Sequence, residues 1–258
     1  MLLSWLRARR RRRLLATPIA AEDRAAFHHL RFYGTAPAAE RARIDDLARV
    51  LVEERTFEPC GGLSLTRPMQ LVIAAQAARL LIGFDEIVDP YPDVRTILVY
   101  PTAYRSGRVV VGAYGIETEG QVRAGEAWMH GPVVLSWESV ERDSIHPEAG
   151  HNVVLHEFCH RLDMEDGLAD GTPAMRTRTQ IRAWADVMTR EFESLSHSLA
   201  RGEHTVLDAY GATNPTEFFS VATECFFERP RALRADRPAL YALLREHYLQ
   251  DPAERLPS

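Results

Sequence analysis

Two histidines four residues apart, His156 and His160, with Glu157 directly after the first, tie this part of the chain to an α-helix. On a helix, residues four apart lie one turn from each other on one face, so the two imidazoles can converge on a single ion. Zinc takes His nitrogens at about 2 Å in a tetrahedral shell, and a catalytic site keeps one position for water. Glu157 leaves the same turn sideways, where its carboxylate can take a proton from that water. Val154, Leu155, Phe158 and Leu162 give the helix a core-facing stripe, and Asp166-Gly167 stops it. Cys159 sits off the histidine face and is read as a buried filler, not a ligand.

The surroundings allow a well-buried site. With 258 residues and 46% hydrophobic content the chain can bury a sizeable core, and a net charge of −5 gives its body no reason to seek nucleic acid. Cys60, Cys159 and Cys225 are odd in number and lack a C-x-x-C pair, which fits a reducing, cytoplasmic setting better than a disulfide framework. At the N-terminus the charges of Arg7 and of the run 9–13 follow the apolar Leu2, Leu3, Trp5 and Leu6, the reverse of an export signal. A solvated, flexible basic arm over 1–36 is favoured there over one that touches anionic lipid or nucleic acid. The apolar stretch 71–82 is interrupted by Gln76 and Arg79 and is too short to span a bilayer.

Periodicity predicts helices over 38–55 and 69–82, the second opened by Pro68 and closed by Gly83. Strands are expected over 96–100, 108–111, 121–128 and 131–137, the last lying at a sheet edge or beginning at Pro132, which cannot donate to a ladder. Helices over 178–199, 215–227 and 238–249 follow the motif helix. The expectation is an α+β fold with one mixed central sheet and flanking helices. A single domain over 37–258, helical in its N-terminal part, would follow the arm.

Two histidines leave zinc incomplete, and four later carboxylates compete for the third place. Asp166 has the metzincin position, but that layout needs Gly at 163, where this chain has Asp163. Asp208 stands one residue short of an aspzincin spacing. Glu217 and Glu224 lie two turns apart on one helix face, and spacing does not choose between them. Glu217 also suits a local role, because Asn214, Pro215 and Glu217 approach a capping box.

The segments His156-Glu157-Phe158-Cys159-His160-Arg161-Leu162-Asp163 and Asp208-Ala209-Tyr210-Gly211-Ala212-Thr213-Asn214-Pro215-Thr216-Glu217, followed by Glu224 and Phe226-Phe227, resemble the Mlc titration factor A family. Leu98-Val99-Tyr100-Pro101, the stretch 131–137 and Gln250-Asp251-Pro252 resemble it too, so the likeness runs from about Ile44 to the C-terminus. The Arg run is not a feature of that family. The resemblance implies a zincin-like, gluzincin-like zinc peptidase with an active site similar to that of anthrax lethal factor. Its ligands would be His156, His160 and Glu217, its general base Glu157, and its second catalytic group Tyr210. The resemblance also implies a peptide or protein substrate, with aminopeptidase-type cleavage of small peptides as one form. A second role, as an interaction protein that binds a transcriptional repressor similar to Mlc, follows from the family's namesake. Direct nucleic-acid binding is not expected.

Overall fold

A computed structural model describes residues 2–84, 91–102, 104–106, 109–112, 115–118 and 131–255, with side chains from residue 5 onward and outside 104–118. The chain is mostly helical and α+β. It opens with α1 (Leu2–Leu15), α2 (Ala21–Ala25) and α3 (Arg31–Thr35), then α4 (Ala38–Glu54), β1 (Thr56–Pro59) and α5 (Arg67–Arg79). The residues before α4 pack on the body of the protein. Ile19, Phe27, Leu30, Tyr33 and Ala36 join the same buried core as α4 and α5, and the Tyr33 hydroxyl donates to Asp45 at 2.7 Å. Short helices of five residues carry too little periodicity to be read from sequence, and the Arg run dominates the composition around them.

Strands β2 (Thr96–Tyr100), β3 (Tyr104–Ser106), β4 (Val109–Gly112), β5 (Gly115–Thr118) and β6 (Val133–Ser136) follow. In place of the expected single mixed sheet, the described strands form two sheets. Among the described residues β1, β2 and β6 make one all-parallel sheet, and β3, β4 and β5 a separate antiparallel meander. Parallel strands need covered faces, and their side chains show it: Ile97, Val99, Val133 and Leu135 are all at most 1% exposed. The register aligns Phe57, Ile97 and Val133 across the sheet, and β6, which begins directly after Pro132, is the last of its three strands among the described residues. The expected strand over 121–128 lies outside the described residues.

Helix α6 (Trp137–Ile145) comes directly off β6, and α7 (Val153–Asp163), the motif helix, follows it after a short turn. The rest is α8 (Arg178–Ala200), α9 (Pro215–Glu228), α10 (Pro230–Asp236), α11 (Pro238–Tyr248) and α12 (Pro252–Arg255). Proline at the first helical position opens each of α9, α10 and α11, where its missing N–H costs nothing. α5 and α9 form the interior: residues 71–79 and 218–227 are buried without a break. α7 packs between them. Gly83 is required at the turn after α5, because a Cβ there would collide with the Tyr248 carbonyl. None of the helices among the described residues is long and apolar enough to cross a membrane.

Candidate metal centre

The start of α7 is set by Asn152, whose side-chain oxygen accepts the Leu155 N–H at 3.1 Å. Its amide nitrogen donates to Gln76 of α5 at 2.6 Å and to Glu228 of α9 at 2.9 Å, so one residue caps the motif helix and ties it to both inner helices. One turn later His156 is fully buried, and its ring meets that of His160 edge-on at 4.8 Å.

α9 supplies what α7 lacks. Asn214 caps it and accepts the Glu217 N–H at 2.9 Å, so the first half of the expected capping box exists. The Glu217 carboxylate turns instead to the histidines, 3.0 Å from His156 Nε2 and 3.5 Å from His160 Nε2. His156, His160 and Glu217 offer ligand atoms within 4.8 Å of one another, the one such group among the described residues.

The other three contenders for the third place have different work. The Asp166 carboxylate accepts the Leu168 N–H at 3.0 Å in an exposed turn. Asp208 accepts the Tyr210 N–H at 2.8 Å and faces His151 at 3.7 Å. Glu224 lies behind His156: its Oε1 is 2.7 Å from Nδ1, and its Oε2 accepts the Asn152 backbone N–H at 2.6 Å. Ser220, between the two glutamates, sits 3.2 Å from His160 Nδ1 and donates to the His156 carbonyl. Both ring Nδ1 atoms are therefore engaged from behind, which leaves Nε2 facing Glu217. The roles of Ser220 and Glu224 escaped the sequence reading, although 217, 220 and 224 share one helical face.

Charge explains why the group suits a cation. Burial disfavours a protonated His156, yet Glu224 and Glu217 outweigh it and push its pKa up to about 10. Burial likewise works against an ionised Glu217, and the two histidines overcome it and hold the carboxyl at about 2. A neutral imidazole between two carboxylates would leave uncompensated negative charge in the interior, so the cluster demands a positive centre. A divalent ion would supply it and suits this donor set.

Glu157 leaves this face half-buried, and its Oε1 is enclosed with no hydrogen-bond partner among the described residues. Burial pushes its pKa up, against the pull of His160, His156 and Arg161. A carboxylate so placed is poised to exchange a proton. Tyr210, on a turn of 3₁₀ helix (Ala209–Ala212), has its ring 6.1 Å from that of His156. Cys159 points the other way, toward Thr223 at 3.4 Å, and burial raises its thiol to about 12. All three cysteines are free thiols.

A family model of the glucose-regulated metallo-peptidases M90 matches residues 5–249. An uncharacterized protein of Synechocystis is 37% identical over 225 residues, which cover 86% of this chain and 81% of that protein. Mlc titration factor A of Yersinia pestis is 31% identical over 229 residues, covering 84% and 80%. The protein of the same name in Yersinia pseudotuberculosis matches to the same extent.

Proposed function

The chain belongs to the glucose-regulated metallo-peptidase family M90, and from that premise we propose that it is a zinc-dependent, gluzincin-like peptidase with a zincin-like core. One observation carries the reading: His156, His160 and Glu217 converge beside a buried, unpartnered Glu157 carboxylate oxygen. Those three residues would hold the ion. A bound zinc ion polarises a peptide carbonyl and lowers the pKa of water beside it.

The chain's own groups do the rest. Glu157 takes a proton from the attacking water and returns it to the departing amine nitrogen. The Tyr210 hydroxyl donates a hydrogen bond to the oxyanion that develops on the substrate carbonyl. Glu224 and Ser220 engage the two Nδ1 atoms, which leaves the Nε2 atoms beside Glu217, where the three residues would hold the ion. β6 is an edge strand whose outer side pairs with no other strand among the described residues, and a substrate backbone would add there as an extra strand. The unpaired thiols support a reducing, cytoplasmic setting. Small peptides, including aminopeptidase-type substrates, are the expected first targets.

The experiment is metal analysis joined to a peptide-library assay on the wild type and on Glu217→Ala. One zinc per chain with hydrolysis, both lost in the variant, supports the reading. Hydrolysis that survives the loss of metal would end it. A second reading, binding of a transcriptional repressor similar to Mlc, is favoured by the relatives named Mlc titration factor A. Co-purification with such a repressor, unaffected by Glu157→Gln, would establish a role independent of catalysis.

A further inference from the structure

Helix α1 is fixed to the body along one side and bare along the other. Arg11 forms a two-point pair with Glu54 of α4, Nε to Oε1 at 3.0 Å and a terminal nitrogen to Oε2 at 2.6 Å. Both side chains are largely buried, at 15% and 10% exposure. Arg49 closes the C-terminal end by donating to the Leu14 and Thr17 carbonyls at 2.5 and 2.7 Å. At 100° per residue, Trp5, Leu6, Arg9, Arg12 and Arg13 fall on the half of the helix away from Arg11. All five are exposed.

Their chemistry is unusual for a surface that faces only water. Trp5 is 52% and Leu6 46% exposed, and with Leu15 they make three of the seven exposed large apolar side chains among the described residues. The Arg9 guanidinium lies over the Trp5 ring, 5.5 Å from its centre. α1 holds six arginines and no acid, so the remainder of a chain of net charge −5 carries −11. A negative surface therefore attracts this helix and repels the rest, which orients the molecule.

We propose that α1 docks the protein on an anionic lipid bilayer. Arg9, Arg12 and Arg13 pair with lipid phosphates while Trp5 and Leu6 enter the headgroup layer. Duplex nucleic acid would satisfy the arginines and leave Trp5 and Leu6 in water, and a single strand would still leave Leu6 bare, whereas a bilayer interface takes both. In support of this, the helix is pinned by Arg11 and Arg49 with its apolar and basic side chains turned outward together. The inference is independent of the peptidase reading.

The test is co-sedimentation of the full chain with vesicles of equimolar phosphatidylglycerol and phosphatidylcholine, against phosphatidylcholine alone. Binding is expected only to the anionic vesicles. It should weaken roughly a hundredfold in the triple variant Arg9→Gln, Arg12→Gln, Arg13→Gln and roughly tenfold in Trp5→Ala, with melting temperatures unchanged. Should the triple variant fail to fold, release of the wild type by roughly 0.5 M salt reads the same electrostatic contribution. Equal binding to both vesicle types, binding that neither the substitutions nor salt reduce, or retention on duplex DNA without vesicle binding would each overturn the proposal.

Discussion

Glu217 and Glu224 hold opposite nitrogens of one imidazole: Glu217 Oε2 is 3.0 Å from His156 Nε2, and Glu224 Oε1 is 2.7 Å from Nδ1. Two turns of α9 thus place one carboxylate in front of the ring and one behind it. The front carboxylate is shared with His160, and the rear one is shared with the Asn152 backbone.

Glu224→Gln keeps the size and one acceptor but removes the charge behind His156. Zinc affinity is expected to fall about 10- to 100-fold in a chelator-competition titration, with the helical circular dichroism unchanged. An unaltered affinity would show that the rear carboxylate does not act on the ion.

Glu157→Gln should leave zinc content at the wild-type level, because Glu157 is not among the three converging ligands. Peptide hydrolysis is expected to drop by about 10² to 10⁴, the range of general acid–base catalysis. A variant that retains turnover would remove Glu157 from the proton-transfer step.

Asn152→Asp offers a case where a good helix cap should destabilise. Aspartate caps as well as asparagine in isolation. Here it would set a carboxylate beside Glu228 Oε1 and Gln76 Oε1 and near Glu224. The loss should be about 2 kcal/mol or more in denaturant titration, and larger than for Asn152→Ser.

His247 predicts a pH dependence of stability. It is half-buried among Trp184, Phe219, Phe84 and Tyr248, its Nε2 has no hydrogen-bond partner among the described residues, and the enclosure of its ring lowers its pKa to about 4. The unfolded chain takes up a proton near pH 6.5 that the folded chain refuses until about pH 4. The His247 contribution is therefore complete above pH 6.5 and is lost progressively as pH falls to about 4, by on the order of 3 kcal/mol at most. Melting curves of His247→Phe should show a shallower decline over that window than the wild type.

Local features of the site were legible in the sequence and long-range ones were not. The motif helix follows from spacing, with a stop expected at Asp166-Gly167, and α7 spans Val153–Asp163; its Asn152 cap was not read from the sequence. The choice between Glu217 and Glu224 was not readable, because both face α7 and only distances separate a carboxylate in front of an imidazole from one behind it. Family resemblance pointed to Glu217. The Glu224 contact with the imidazole and the Asn152 bridge to Gln76 and Glu228 join residues about 70 positions apart, beyond any periodic pattern. The division into two sheets was hidden for the same reason: strand partners are chosen by packing, and strand propensity marks only that strands exist.

α7 ends at Asp163 and α9 begins at Pro215, so about sixty residues separate the histidines from Glu217. During synthesis the histidine pair leaves the ribosome well before its acidic partners, and a chain interrupted anywhere between them carries an incomplete donor set. The order of translation thus works as a safeguard: the centre cannot be assembled until most of the protein is present to enclose it.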